Sequence, residues 1–312
     1  MKIQCIEKRV LSTDMTHHLA GTIMLPEGKP KGLFHIVHGM QEYMGRYKYF
    51  MERMAQAGYI VFGFDNLGHG YTVNDRSELG FIASKNGWKY LVDDVAIFAN
   101  SMKLQYGEDL PYYLFGHSMG SFIARLTAEK YDMQDKLIIM GTGGPIPGTT
   151  PAISLLKKVK RAKGERYVSK NINDLIFGTY NRRFGYDDPY NWISTLKETR
   201  TAFANDPLCQ YSFSVSALED LLRLSRECNK SRWFSSRVRK KPILLISGEN
   251  DPVGDYGMGV KKVHDRLKSR GADVKFILFK GCRHELLNDI CRDRVTEIII
   301  DFCSKSTVPE KQ

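Results

Sequence analysis

The residues best suited to chemistry in this chain are a serine framed by glycines, Gly116-His117-Ser118-Met119-Gly120. A serine hydroxyl is a weak nucleophile until a base takes its proton, and acyl transfer also needs donors for the oxyanion that forms. The pattern G-x-S-x-G meets the first geometric demand. Glycines two residues to either side relieve the crowding of a sharp turn that displays the serine oxygen. Tyr112–Phe115 before it is an apolar, β-favouring run, and the stretch from Met119 to about Tyr131 has helical periodicity, so the turn is predicted to join a strand to a helix. Ser118 then stands at a helix N-terminus, where free N–H groups and the dipole favour a developing negative charge.

A base and an acid are sought just past later strands. Ile243–Ser247 reads as a buried strand running into Gly248-Glu249-Asn250-Asp251-Pro252, and Val274–Phe279 as one running into Gly281-Cys282-Arg283-His284-Glu285. Asp251 and His284 are assigned as acid and base, in the chain order serine, acid, histidine. His284 would take the proton from Ser118 and return it to the leaving alcohol, while Asp251 would fix the imidazole tautomer and stabilise its cation. Asp255, a little beyond the strand end, is the second choice of acid. Glu249 also competes, whereas Glu285 is adjacent to the histidine and poorly placed to orient it. Taken separately, an aspartate in a loop is ordinarily a turn former, and a lone histidine is ordinarily structural. Their order after successive strands is what gives them a catalytic reading. Oxyanion donors are expected at the N–H of Met119 and of Met40, the latter in the loop His38-Gly39-Met40 that follows the strand Gly32–Val37.

The other histidines have weaker claims. His17, His18, His35 and His264 have no motif around them, and His38, His69 and His117 are expected to shape the loops they flank. No His/Cys/Asp cluster has metal-ligand spacing and no glycine-rich segment matches a P-loop or a dinucleotide fingerprint, so neither metal nor cofactor is implied.

The elements that must hold these residues follow from periodicity. β-rich segments around Ile3–Ser12 and His18–Met24 are followed by the strand Gly32–Val37, a helix over Tyr47–Ala57 and the strand Tyr59–Phe64. A helix over Lys89–Leu104, the strand Tyr112–Phe115, the Met119 helix and the strand Lys136–Met140 continue the alternation. From Pro145 to about Arg239 the pattern becomes helical and loop-like. The strand Ile243–Ser247, a helix over Val260–Arg270, the strand Val274–Phe279 and a helix over Asp293–Cys303 then resume it. Alternation of this kind predicts an α/β fold with a mostly parallel sheet covered by helices on both faces. The expected organisation is a core in two parts, 1–144 and 240–312, around a helical insertion at 145–239.

With these motifs in place, the chain resembles the monoglyceride lipase, lysophospholipase and serine-aminopeptidase-like branch of the α/β-hydrolases over nearly its whole length. His38-Gly39-Met40-Gln41-Glu42-Tyr43-Met44-Gly45-Arg46-Tyr47 is similar to that branch's His-Gly-x-x-Glu-His-x-x-Arg-Tyr oxyanion loop, and Asp65-Asn66-Leu67-Gly68-His69-Gly70 to its Asp-x-x-Gly-His-Gly turn. Gly116–Gly120 resembles its Gly-His-Ser-Met-Gly elbow, and His284-Glu285 its terminal His-Glu segment. Three departures bear on substrate choice: Tyr43 in place of histidine, Leu67 in place of a frequent arginine, and Ser121 where glycine is common. The resemblance implies that 145–239 caps the pocket and that an acyl group lies between cap and core.

Composition limits the partners. The chain has 312 residues, 42% of them hydrophobic and 26% charged, enough for one large core with an insertion. Its net charge of +11 is concentrated in Lys157 to Lys170 and Arg223 to Lys241. Neither stretch matches a nucleic-acid module or interleaves stacking aromatics, so no nucleic-acid partner is expected. The apolar runs Ile153–Leu156 and Ile172–Phe177 flank the basic run Lys157–Lys163, a pattern compatible with peripheral contact of the cap with an anionic membrane. The first residues lack the continuous apolar core of a secretory signal, so the six cysteines are expected to be reduced thiols of a cytoplasmic protein. The expected activity is hydrolysis of a small-molecule ester or lipid, with monoacylglycerol or lysophospholipid first. A small carboxylesterase or thioesterase comes next, and a catalytically silent ligand-binding homologue is the non-enzyme alternative. The sequence sets no oligomeric state.

Overall fold

The computed structural model describes residues 3–305. Eight strands form one sheet in the order β1-β2-β4-β3-β5-β6-β7-β8. The first two, β1 (Gln4–Leu11) and β2 (His18–Leu25), pair antiparallel, and β2 is antiparallel to β4 (Ile60–Phe64). From there every pairing is parallel, through β3 (Leu33–Val37), β5 (Tyr112–His117), β6 (Lys136–Met140), β7 (Ile243–Gly248) and β8 (Val274–Phe279). This is the α/β-hydrolase fold, with a mostly parallel sheet between layers of helices.

Strands β3 to β7 are buried along their whole length because both faces are covered. Alternate side chains enter two separate cores. Leu33, Phe62, Leu114, Ile139 and Leu245 face one, which is completed by α2 (Gly87–Tyr106), α3 (Met119–Tyr131) and α9 (Met258–Lys268). Phe34, Val61, Phe115, Ile138 and Leu244 face the other, closed by α1 (Lys48–Gln56) and α10 (Arg292–Ser304). Each such side chain contributes roughly 1.5–3 kcal/mol on burial. The sheet is therefore the rigid frame, and the loops at the C-terminal ends of its parallel strands can carry strain.

Between β6 and β7 the chain forms five α-helices, a short 3-10 turn and no strand: α4 (Thr149–Lys163), α5 (Lys170–Phe177), α6 (Lys197–Asn205), α7 (Val215–Cys228) and α8 (Ser231–Ser235). Element boundaries depart from periodicity by a residue or two. Helix α9 starts at Met258 rather than Val260, because Gly257 with φ 86° delivers the chain directly into it. Among the described residues no helix is long and apolar enough to cross a membrane.

Candidate active site

Ser118 occupies the turn between β5 and α3 with φ 53° and ψ −122°, a conformation that costs a non-glycine residue on the order of 1–3 kcal/mol. The frame holds it there. The Ser118 N–H donates to the Met140 carbonyl at 3.0 Å, and its own carbonyl accepts from the Ser121 N–H at 2.9 Å and the Ser121 hydroxyl at 2.6 Å. Ser121, where the resemblance would place glycine, thus adds a bond that fastens the turn. The flanking glycines are required by contact. A Cβ on Gly116 would lie 2.3 Å from the Gly120 carbonyl oxygen, and one on Gly120 would lie 2.1 Å from that of Val37.

Loops after β7 and β8 bring Asp251 and His284 together. Asp251 is fully buried and its Oδ1 accepts from His284 Nδ1 at 2.9 Å and from the Val253 N–H at 2.9 Å. Of the competing acids, Asp255 and Glu249 are exposed, and Glu285 pairs with Arg46. With Nδ1–H committed to Asp251, His284 presents Nε2 as its free ring nitrogen, the state a general base requires. Ser118 and His284 line the same cavity, and no hydrogen bond joins the Ser118 hydroxyl to the ring among the described residues. Such contacts commonly tighten only in the substrate complex.

The loop after β3 lies against the serine: a Cβ on Gly39 would come within 3.0 Å of the Ser118 Cβ. Met40 and Met119 both line the cavity, and neither backbone N–H donates to a protein acceptor among the described residues. Two unclaimed amides beside a displayed serine can receive an oxyanion. His38 has a structural part. Its Nδ1–H donates to the Gly39 carbonyl at 2.7 Å and its Nε2 accepts from the Asn66 N–H at 2.8 Å, which fixes a neutral ring linking the two loops. Asp65 extends that link by accepting from the N–H groups of Met44 and Tyr71, each at 2.8 Å.

Around the site, Glu42 and Trp192 have no role assigned from the sequence, and His117 only that of shaping its loop. Glu42 Oε1 accepts from the Gly39 N–H, from the Tyr47 hydroxyl at 2.8 Å and from His117 Nδ1 at 3.0 Å. Burial alone would raise the Glu42 carboxyl, but the His117 charge and hydrogen bond, reinforced by Arg46, hold it at about 2. Burial likewise opposes a charge on His117, yet Glu42 first, then Glu285 and Asp251, carry its ring above the ordinary value. Trp192, from the segment between β6 and β7, also rests against the catalytic candidate, its ring centroid 5.1 Å from that of His284. A lone tryptophan in a loop gives no sequence signal for such a contact.

The cavity occupies about 830 Å³ including its opening to solvent, and its remaining walls are chiefly apolar, with Phe122, Ile146, Ile176, Phe177, Leu221 and Leu222 among them. It suits a ligand that is mostly hydrocarbon with one reacting polar group.

The sequence model of one family, described as serine aminopeptidase, S33, matches residues 28–290. The chain belongs to that family. Among similar proteins, human monoglyceride lipase is 26% identical over 270 residues, spanning 85% of this chain and 79% of its own. A monoglyceride lipase homolog of monkeypox virus is 33% identical over 269 residues, 82% of this chain and 83% of its own. Among solved structures, a thermostable carboxyl esterase from Bacillus coagulans, in complex with glycerol, superposes with a TM-score of 0.89 at 31% identity, covering 97% of this chain and 98% of that one. The S33 assignment makes the chain a member of a serine hydrolase family whose similar members bear lipase and esterase names.

Proposed function

We propose that this protein hydrolyses long-chain monoacylglycerols through an acyl-enzyme on Ser118. The observation that carries the reading is the shared cavity. Ser118 and the Asp251-bound His284 open into a chamber walled by Ile176, Phe177, Leu221 and Leu222 of α5 and α7. In the cycle, His284 Nε2 takes the hydroxyl proton as Ser118 Oγ attacks the ester carbonyl, and the Met40 and Met119 amides hold the oxyanion. Collapse expels the glycerol, which leaves with the proton from His284. Water then enters, loses a proton to the same nitrogen and releases the fatty acid.

The head group follows from charge. Glu42 and Glu285 line the cavity and, among the described residues, no lysine or arginine side chain does, which favours a neutral glyceryl group over the phosphate of a lysophospholipid. The names of the human and viral relatives point the same way. In this reading 145–239 acts as a cap over the acyl chain. Its α4 helix, with Leu155 54% exposed beside the exposed Lys157, Lys158 and Arg161, meets an anionic lipid surface. Six cysteines without a disulfide fit the cytoplasm.

The likeness to the Bacillus coagulans carboxyl esterase supports a second reading, a short-chain esterase with the same machinery. Hydrolysis of a matched panel separates the two: a long-chain monoacylglycerol, a lysophosphatidylcholine and a short-chain aryl ester. The proposal expects kcat/KM to be highest for the monoacylglycerol. Cleavage of the aryl ester alone overturns the lipid assignment.

A further inference from the structure

The loop after β3 that carries the Met40 amide is gripped by the segment joining α6 to α7. Gln41, the residue after Met40, has φ 57°, in the left-handed region that side chains other than glycine rarely adopt. Among the described residues its backbone N–H and carbonyl have no protein partner. The side chain supplies the hold, because Gln41 Nε2 donates to the Tyr211 carbonyl oxygen. Two residues on, the Tyr43 hydroxyl donates to Asp206 Oδ2 at 2.9 Å, at the other end of the same segment. Burial first, and Asp206 after it, raise the Tyr43 hydroxyl well above its ordinary value, so it remains a donor. Arg46 adds a third contact, its guanidinium carbon 4.8 Å from the centroid of the Phe203 ring in α6.

The gripping segment is itself fixed. Asp206 turns the chain, its Oδ1 accepting from the Leu208 N–H and its carbonyl from the Cys209 N–H, each at 2.9 Å. The Tyr211 ring meets His69 edge-on with centroids 5.8 Å apart, and the Ser214 N–H donates to the Gly80 carbonyl at 3.0 Å. A Cβ on Gly80 would lie 2.4 Å from the Ser212 carbonyl oxygen, so the segment sits directly on the core. A loop with a strained residue beside its oxyanion donor is thus tied at Gln41 and Tyr43 to a support that cannot easily follow it.

We propose that Gln41 and Tyr43 are positioning residues for the reaction: anchored to Tyr211 and Asp206, they hold the backbone at Gln41 left-handed and so keep the Met40 N–H aimed at the oxyanion. The inference rests on the reading of Met40 as an oxyanion donor. A donor stabilises the transition state to the extent that it is in place before charge develops. A non-glycine residue stays left-handed only where its surroundings over-determine it, and here the over-determination comes from the insertion rather than from the sheet. The insertion therefore supports the oxyanion hole as well as walling the cavity, and both side chains act through the Met40 amide.

The test measures hydrolysis of a short-chain aryl ester by the full-length wild type and by Gln41→Ala, Gln41→Gly and Tyr43→Phe. Inhibition by an alkyl trifluoromethyl ketone is measured in parallel, since its adduct with the serine places an oxyanion in the hole. Gln41→Ala, which loses the tie and keeps the strain, is expected to lower kcat by about tenfold or more with KM within about twofold, and to weaken the ketone by a matching factor. Gln41→Gly also loses the tie, but glycine takes this φ without steric cost, so its kcat is expected to lie between those of Gln41→Ala and the wild type. Tyr43→Phe keeps the ring and removes only the hydroxyl; it is expected to lower kcat by about fivefold with the same signature, and it carries the test if the Gln41 variants fold poorly. Equal kcat in the alanine and glycine variants overturns the proposal, as does a change confined to KM or a wild-type rate in Tyr43→Phe. Failure of the catalytic reading is distinguishable, because it leaves the wild type itself without Ser118-dependent turnover of any ester.

Discussion

The His117 ring lies with its centroid 4.8 Å from that of His284, and its Nε2–H donates to the His284 carbonyl oxygen at 3.3 Å. With Nδ1–H given to Glu42 at 3.0 Å, both nitrogens of His117 act as donors, so this ring is the buried cation of an ion pair and the neighbouring ring is left as the proposed base.

That pair makes stability depend on pH at both ends. The Glu42 carboxyl falls from an ordinary 4.5 to about 2, so its contribution is complete above about pH 4.5 and is lost as the pH drops toward 2. His117 is raised above its ordinary 6.5, so its contribution is complete below that pH and is lost as the pH climbs through the folded value. His117→Asn is expected to cost about 3–5 kcal/mol, since it leaves Glu42 buried without its cation. Urea unfolding at several pH values checks this: the wild-type advantage is greatest between pH 4.5 and 6.5 and shrinks on either side. An advantage that stays constant up to pH 9 speaks against the charged His117.

Asp251 acts on His284 through one short contact, while Asp255 is exposed and outside it. Asp251→Asn is expected to lower kcat by on the order of 10⁴, with unfolding little changed, because the ring loses its tautomer and its counter-charge. Asp255→Asn is expected to stay within about twofold. Steady-state kinetics of the two variants test the choice of acid, and the reverse ranking would refute it.

The oxyanion loop has no room beside the serine. A methyl on Gly39 would stand 3.0 Å from the Ser118 Cβ and 2.6 Å from Glu42 Oε1, displacing the Met40 amide. Gly39→Ala is expected to reduce kcat by about 10²–10³ with a smaller effect on KM, the signature of a donor used only in the transition state. A change confined to KM would place the loop in substrate binding instead.

Binding to lipid should be electrostatic in origin. Lys157, Lys158, Arg161 and Lys163 are exposed and unpaired among the described residues, whereas Lys160 is held by Glu219. Co-sedimentation with vesicles containing anionic phospholipid is expected at low salt, weakening severalfold toward 0.5 M salt and on replacement of Lys157, Lys158 and Arg161 by glutamine. Equal binding to purely zwitterionic vesicles would contradict this use of the basic helix.

Much of this arrangement is legible in the sequence because its signals are local. A glycine-framed serine between an apolar run and a helix, and single polar residues just past Ser247 and Phe279, can be read within a few positions each. The Glu42–His117 pair cannot, because it depends on β3 lying beside β5, a neighbourhood set by strand order. Trp192 reaches His284 only through the path of the helical segment between β6 and β7, where periodicity predicts helices but not where their connecting loops touch the core.

The most direct test of the central claim is labelling by a fluorophosphonate, which reacts covalently with an activated serine. The account predicts a single adduct on the peptide containing Ser118 in the wild type and none in a folded Ser118→Ala variant. Folded wild type that stays unlabelled, or a variant that labels as well as wild type, would contradict it.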